Sequence, residues 1–507
     1  MNLVTDSWIP VRRSGALESL SLQAVFENAG LITDVSVRPL ERVALYRLLL
    51  CIAQRALEGP ADHGEWKTAR ERIVPACLKY LSQPEIRAAF DLFGDGQRFL
   101  QADGLELAKG KTLENNGAEI AKLDFALASG NNSRLFDNSA ALDRKAGFGE
   151  IAIRMLTFQC FSPGGLMPAA MWAGVETKGA QKPAAKGKVS GGDAPCLSGN
   201  MIHSWLRGPH LLATIHRNLL TKEDLKDARQ EWGAPVWEAV PTGPGDDASA
   251  KTYLGRLVPM ARAIRLFEDD PTRMILSNGL NYPFHPQWRE PHASLRFNQT
   301  KNEHRILGAR KGRAIWRDLH SVISRGKGEH ASGAMNLEGA RDADEPLDLV
   351  VTALVTTNAK FEEVIESVFV LAPRQQLLEA DEDDDPDAAS TLPSEDLWSV
   401  ESETESEKRQ KFQSVYENGI RIANSWERRL KDGVAAYQKD LMSEGSWRES
   451  AVLQFWAILE GKLPCLIRYA TERNEETGKA WHGVVFGTAQ EAYRRTCPAD
   501  TPRQLQA

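Results

Sequence analysis

Apolar residues recur at helical spacing in an early segment of the chain. In residues 39–57 they follow a proline, a residue suited to the first turn of a helix. The apolar positions of this segment are Leu40, Val43, Leu45, Leu48, Leu49 and Ile52. Spacings of mostly three or four residues predict an amphipathic or buried helix. We therefore expect a core helix here.

The last hundred residues show the same periodicity several times. One stripe has spacings of four, four, four, three and four residues, and it consists of Ile422, Trp426, Leu430, Val434, Tyr437 and Leu441. A second stripe runs from Val452 to Leu466 and a third from Trp481 to Tyr493. Several antiparallel helices with short connections are typical of a bundle. The pattern predicts a helical, four-helix-like bundle over residues 408–507.

The first 370 or so residues mix helical patterns, strand patterns and long loops. Residues 348–355 and 364–372 are rich in β-branched side chains and flank the sequence TTNAKFEE, which predicts two ordered elements around a short exposed feature. Gly-rich stretches at 128–149 and 162–199 lack periodicity, and loops of that length are usually functional or disordered. The predicted fold class is α+β, with a large mixed domain over residues 1–370 before the bundle.

An acidic block separates these two predicted domains. Residues 379–407 contain 13 acidic residues and no Lys or Arg, whereas the formal net charge of the whole chain is only −7. The rest of the chain is therefore mildly basic. Because like charges repel and little apolar surface is present, residues 371–407 are predicted to be a disordered linker.

No apolar run approaches the roughly 20 residues of a membrane span, and the first residues lack the pattern of a secretory signal. This predicts a cytoplasmic protein. Phosphate-binding, zinc-binding and nucleophile-elbow motifs are absent from the sequence, so no catalytic residue, metal or cofactor is expected. The histidines are scattered along the chain, which favours core or surface positions over a metal site.

Basic residues offer a different chemistry. Residues 296–327 carry nine Lys or Arg against two acidic residues, and among them Arg310 and Lys311 are candidate phosphate contacts. Lys182 and Lys186 lie in a Gly/Ala/Pro-rich stretch and are further candidates. The alternative interpretation, a solvated basic surface, remains open for both stretches.

Several short motifs are distributed along the chain. They are NLVTDSWIPVRR (2–13), FLQADG (99–104), SGNNSRLFDN (129–138), SPGG (162–165), DAPCLSGNMIHSWLRG (193–208), RAIWRDL (313–319) and TTNAKFEE (356–363). In this order they resemble the motifs of the CasA-type large subunits of type I-E CRISPR surveillance complexes (Cascade). The resemblance covers about 480 residues and includes the helical end of the chain.

The resemblance implies a non-catalytic subunit that recognises the protospacer-adjacent motif (PAM) of target double-stranded DNA and starts duplex opening. The implied partners are the target DNA, the CRISPR guide RNA, the other Cascade subunits (backbone, small and handle-binding) and a helicase-nuclease recruited after the R-loop forms. Because the minor groove distinguishes mainly A·T from G·C, such recognition is expected to tolerate several motifs.

By position in these motifs, the resemblance implies specific DNA contacts. Pro163, Gly164 and Gly165 resemble the family's glycine loop, where a backbone without Cβ can approach the minor groove closely. Asn358 and Ala359 resemble a wedge that displaces a base pair, with Asn in place of the glutamine often found there and Lys360 beside it. For the basic finger the match is Arg273, with Arg265 and Arg262 as alternatives.

The resemblance also implies a docking segment for the guide RNA's 5′ handle and neighbouring subunits. It corresponds to residues 131–138, of which Asn131, Asn132, Phe136 and Asn138 are the expected contacts. Two other functions remain as alternatives. One is a purely structural subunit of the complex, and the other is a nuclease with a dispersed active site.

Overall fold

The structure is a computed structural model, in which two compact units are distinguished. It describes residues 1–126, 146–164, 167–177, 182–183, 189–190, 200–282, 290, 292–298, 303–323, 333–340, 345, 347–357, 360–371, 403–499 and 504. The first unit comprises residues 1–311 and 325–368, and the second comprises residues 312–324 and 369–507. The second unit therefore includes a segment, 312–324, that precedes the predicted domain boundary by almost fifty residues in sequence.

Short antiparallel sheets are distributed through the first unit, although the last three residues of the final strand are assigned to the second unit. The strands are β1 Ile9–Arg13, β2 Ala16–Leu20, β3 Ile32–Val35, β4 Leu105–Leu107, β5 Ala118–Glu119, β6 Ala170–Trp172, β7 Val175–Glu176, β8 Lys182–Pro183, β9 Val189–Ser190, β10 His203–Arg207, β11 Arg262–Leu266, β12 Arg273–Asn278, β13 Leu295–Asn298, β14 Glu303–Ile306, β15 Leu347–Thr357 and β16 Lys360–Leu371. They form sheets ordered β2-β1-β3, β10-β15-β16, β11-β12-β5 and β4-β6-β7, and the pairs β13-β14 and β8-β9.

Helices of the first unit surround one long buried helix. They are α1 Leu22–Glu27, α2 Pro39–Ala56, α3 His63–Leu81, α4 Pro84–Ala89, α5 Leu113–Asn116, α6 Phe148–Phe161, α7 Leu211–Arg217, α8 Lys222–Asp227 and α9 Tyr253–Leu257. Helix α2 confirms the predicted core helix and begins with Pro39, as expected. It is buried over most of its circumference because α3, α6, α7 and α9 all pack against it, which explains why its apolar pattern is not one clean stripe.

The two β-branched segments near residue 350 are the adjacent strands β15 and β16. The second strand begins at Lys360, four residues earlier than its apolar pattern indicated, so most of TTNAKFEE is strand. Only Asn358 and Ala359 separate the two strands in sequence, and both lie outside the described residues.

The second unit is helical. Its helices are α10 Leu319–Val322, α11 Glu403–Leu441, α12 Trp447–Glu460, α13 Leu463–Glu472 and α14 Glu475–Thr496. The apolar stripe from Val452 to Leu466 is divided between α12 and α13, because Pro464 has no amide hydrogen and suits the first turn of a new helix. Helix α11 begins within the predicted linker, where glutamates at 403, 405 and 407 favour a helix N-terminus.

The α+β fold class, with its mixed first part and helical end, is confirmed by these elements. No single described helix has both the length and the apolar composition of a membrane span. Only α12 and α13 taken together, with a 60° bend between them, meet both criteria.

Candidate nucleic-acid interface

The sequence SPGG begins where helix α6 ends. Ser162 is the residue after the helix and has φ −54° and ψ 123°, as expected for a residue that precedes a proline. Ser162 and Pro163 are buried and Gly164 is half-buried; Gly165 lies outside the described residues. Residues 162–164 are called the glycine segment below.

A buried arginine holds the glycine segment. Arg262, in β11, is 2% exposed, and it donates from Nε to Ser162 Oγ (2.7 Å) and from Nη2 to the Pro163 carbonyl (2.5 Å). Its Nη1 donates to Asn278 Oδ1 at 2.9 Å. Arg262 was an alternative for the basic finger, and its burial excludes the direct DNA contact that this role requires.

The chain that follows the glycine segment is attached to the same sheet. The Pro168 carbonyl accepts a hydrogen bond from Ser277 Oγ in β12 (2.5 Å), and Ser277 Oγ lies 2.5 Å from Thr177 Oγ1. Thr177 in turn bonds to the backbone of Ala170. Strands β11 and β12 therefore fix the chain on both sides of Gly164 and Gly165.

Arg273 lies at the start of β12 and is half-buried. It shares a face of the strand with Ser277, about 14 Å away at about 3.4 Å per residue. Its Nη1 donates to the carbonyls of Leu113 and Glu114. The other alternative, Arg265, donates to the Leu105 carbonyl at 3.0 Å. Both guanidinium groups thus have backbone acceptors in the structure.

The hairpin that carries the predicted wedge is attached to the first unit at several points. Thr356 donates from both its amide and its hydroxyl to Asn200 Oδ1, at 3.0 Å each. On β16, Phe361 packs edge-on against Phe125, with 4.7 Å between ring centroids. These contacts fix the strand residues two positions before Asn358 and two positions after Ala359. Lys360 begins β16, and its side chain is not described.

The remaining predicted contacts have different outcomes. Arg310 and Lys311 are exposed, but Lys311 forms an ion pair with Glu362 (2.7 Å), whose hydrogen bond raises the pKa of the lysine. Lys182 lies in β8, opposite Ser190, and its side chain is not described. Lys186, Asn131, Asn132, Phe136 and Asn138 lie outside the described residues.

A cleft of about 800 Å³ in the first unit was not predicted. Four arginines and four acidic residues line it, namely Arg12, Arg38, Arg42, Arg154, Asp34, Glu41, Asp124 and Glu150. Asp124 accepts from Arg38 (2.7 Å) and pairs with Arg154 (3.1 Å), while burial raises the pKa of Asp34. These residues come from β1, β3, α2 and the residue before it, the segment between β5 and α6, and α6 itself. They have no common spacing, so no sequence pattern indicated the cleft.

The cleft adjoins, in sequence, the predicted docking segment. The described chain stops at Ala126, two residues after Asp124, and resumes at Ala146, four residues before Glu150. Within the part of the chain that the structure describes, no three His, Cys, Asp or Glu residues are grouped as metal ligands.

Comparisons with known proteins agree with one another. Residues 2–385 match the family described as CRISPR-associated protein Cse1. The CasA/Cse1 protein of Thermus thermophilus is 27% identical over 519 aligned positions, which cover 98% of this chain and 92% of that protein.

Solved structures are similar in fold. A structure of Thermus thermophilus CasA (Cse1) has a TM-score of 0.68 at 22% identity and covers 100% of this chain and 96% of its own. Thermobifida fusca Cse1 has a TM-score of 0.65 at 18% identity, covering 98% and 96%. A chain of a CRISPR RNA-guided surveillance complex has a TM-score of 0.70 at 16% identity, covering 100% and 97%.

Proposed function

Because the chain belongs to the CRISPR-associated Cse1 family, we propose that it is the large subunit of an RNA-guided surveillance complex that recognises the PAM of target DNA. In this role it contacts target double-stranded DNA, the guide RNA and the other subunits of the complex. It binds the duplex and begins its opening, whereas cleavage belongs to a helicase-nuclease that is recruited once the R-loop has formed.

The observation that carries this proposal is the anchoring of the chain around Gly164. Hydrogen bonds from Arg262 and Ser277 hold Pro163 and Pro168 on either side of the two glycines. A glycine backbone held in place can approach the floor of a minor groove with little loss of conformational freedom on binding. We assign minor-groove contact to Gly164 and Gly165, with Pro163 as their support.

The hairpin supplies the second part of the proposed mechanism. Asn358 follows strand β15. The end of this strand is fixed by the two hydrogen bonds from Thr356 to Asn200. Insertion of Asn358, with Ala359 and Lys360 beside it, costs a few kcal/mol per unstacked base step. The exchange of DNA pairs for RNA–DNA pairs is nearly balanced, so a local contribution of this kind can start it. Arg273 is the proposed basic contact.

We assign the contacts with the guide RNA and the neighbouring subunits to four residues of the docking segment, Asn131, Asn132, Phe136 and Asn138. The support is the cleft lined by four arginines and four acidic residues, since Asp124 and Glu150 belong to it and flank this segment in sequence. Lys182, Lys186, Arg310 and Lys311 are proposed phosphate contacts, which would make binding weaker as salt increases.

The test is target binding by the reassembled complex, with a matched and a scrambled flanking motif at fixed salt. Asn358→Ala and Gly164→Leu should each reduce the affinity ratio between the two duplexes while the complex still assembles. Lys439→Ala, an exposed change on α11, is the control and should leave the ratio unchanged. An unchanged ratio in both test variants would instead favour a purely structural subunit. Metal-dependent cleavage by the purified chain would favour a nuclease.

A further inference from the structure

The side chain of Arg262 joins three elements of the first unit at one point. Its three donor atoms reach Ser162 and Pro163 after α6 and Asn278 at the end of β12. A buried guanidinium is costly unless its donors are satisfied, and its planar fork fixes the direction of each bond. The positions of the two loop acceptors are therefore tied to the position of Asn278.

Arg262 is itself fixed in place by Gln159, which is fully buried in α6. The side-chain oxygen of Gln159 accepts from the Arg262 amide (2.8 Å), and its Nε2 donates to the Arg262 carbonyl (2.9 Å). Both backbone groups of Arg262 are thus bonded to the last turns of the helix from which the glycine segment emerges. The helix, the strand and the segment form one hydrogen-bonded unit.

The last two residues of β12, Ser277 and Asn278, and the glycine that follows them complete this arrangement. Ser277 bonds to the Pro168 carbonyl, and Asn278, which lies directly opposite Arg262 in the antiparallel register, accepts from its guanidinium. Gly279 gives the necessary room, because a Cβ there would lie 2.5 Å from the Met260 carbonyl oxygen and 2.6 Å from the Arg262 nitrogen. Each residue of the sequence Ser-Asn-Gly therefore contributes to the arrangement: the first two by a hydrogen bond and the glycine by the absence of a side chain.

We propose that Arg262, held by Gln159 and Asn278, is a positioning residue. It holds the glycine segment in the orientation that recognition of the PAM in target DNA requires. The inference rests on the proposed recognition role of Gly164 and Gly165. Arg262 acts without touching DNA, because its burial leaves no surface for a base or phosphate. Small displacements of a recognition backbone lose hydrogen-bond geometry and hence discrimination.

The experiment uses the reassembled complex with Arg262→Met, Arg262→Lys and Asn278→Ala, and with Arg217→Met as the matched control. Arg217 is also a buried arginine that donates to a carbonyl, that of Gly339. Arg262→Met should lower the affinity ratio of matched to scrambled duplex by about tenfold, the effect of losing one or two buried charged hydrogen bonds. Arg262→Lys should recover part of the ratio, and Arg217→Met should leave it unchanged.

The double variant Arg262→Met/Asn278→Ala provides a second measurement. If the two side chains act through one bond network, its ratio should equal that of Arg262→Met alone. The inference is overturned if Gly164→Leu abolishes the preference while Arg262→Met keeps the wild-type ratio. If both leave it unchanged, the recognition role of the segment fails first. If Arg217→Met lowers the ratio as much as Arg262→Met, the effect is general destabilisation and the positioning role is rejected.

Discussion

At the scale of single residues, burial holds His216 in its neutral form. Its side chain is packed inside the first unit, with the ring stacked on Trp66 at 4.4 Å between centroids and Nε2 bonded to the Trp66 carbonyl at 2.9 Å. Burial is the main cause that lowers its pKa to about 4; the Trp66 bond opposes the shift, the charges of Arg217 and Arg70 add to it, and Glu345 opposes it. The folded protein therefore resists protonation at this site, whereas the unfolded chain does not.

A measurable loss of stability in mild acid follows for His216. The unfolded histidine, with a pKa near 6.5, binds a proton at pH 5 and the folded one does not, so folding becomes less favourable as pH falls below 6.5. The loss from this residue between pH 7 and pH 5 is about 2 kcal/mol. Urea unfolding should therefore show that the free energy of unfolding falls by about 2 kcal/mol less between pH 7 and pH 5 in His216→Gln than in the wild type.

The control for this prediction is His482→Gln, a change at an exposed position of α14. It should lose as much stability as the wild type between the two pH values. Equal losses in the His216→Gln and wild-type proteins would show that His216 is already protonated in the folded state.

The family resemblance suggested candidate contacts but not which arginines are accessible. Arg273 was preferred by its position before Asn278-Gly279, with Arg265 and Arg262 as alternatives. What separates them is pairing with residues distant in sequence: Arg262 bonds to Pro163, about a hundred positions earlier. No local pattern encodes such a contact, so a buried positioning arginine and a DNA-binding one are indistinguishable before folding.

At the scale of elements, helical periodicity predicted the long helices and failed at one junction. Helix α2 and the stripe of α11 follow from spacing because burial on one or more faces dictates where apolar residues occur. The stripe from Val452 to Leu466 continues across the break between α12 and α13, since both helices turn apolar residues towards the same core. Pro464 was the local signal that the apolar pattern concealed.

One cluster in the second unit ties residues 312–324 to the long helices. Arg317 lies over the ring of Trp456, 3.4 Å from its centroid, and donates to Asn424 (2.9 Å). Glu427 accepts from Trp456 Nε1 at 2.8 Å and lies 3.4 Å from Arg317. Burial lowers the pKa of Arg317 to about 10, and the neighbouring charge of Glu427 opposes this shift.

Removal of the carboxylate from this cluster should destabilise the second unit. Glu427→Ala leaves Trp456 Nε1 without its acceptor and the buried Arg317 without its nearest carboxylate, at an expected cost of about 2–3 kcal/mol. Differential scanning calorimetry should show a lower melting temperature for the helical transition. The control is Glu472→Ala, which removes the exposed pair with Arg468 and should change the temperature little. Similar shifts in both variants would contradict a special role for the cluster.

At the scale of the whole molecule, the sequence predicted the order of a mixed part and a helical part, but not the composition of each unit. Residues 312–324 belong to the second unit although they precede the acidic segment. The apolar residues Trp316, Leu319, Val322 and Ile323 are all buried there. The sequence could not predict that residues 312–324 pack in the second unit. A short apolar segment fits either core equally well, and only its contacts in the folded chain decide between them.

The helical region should therefore be incomplete without residues 312–324. The Trp316 ring packs at 5.7 Å from that of Trp456, and the Trp316 carbonyl accepts from Tyr416 at 2.8 Å. A fragment of residues 403–507 lacks these contacts and exposes the apolar surface that they cover. Added in trans, a peptide of residues 312–324 should raise the melting temperature of the fragment increasingly with peptide concentration, since a ligand that binds the folded state stabilises it.

The same peptide with Trp316→Ala keeps the backbone carbonyl but loses the ring, so it should bind more weakly and raise the melting temperature less at equal concentration. The measurement is thermal melting of the fragment over a series of concentrations of each peptide. If neither peptide shifts the transition and the fragment alone melts at the temperature of the helical transition in the full chain, residues 312–324 cover this core without stabilising it. A shift with the first peptide alone would mean that the helical unit is completed by a segment from the middle of the chain.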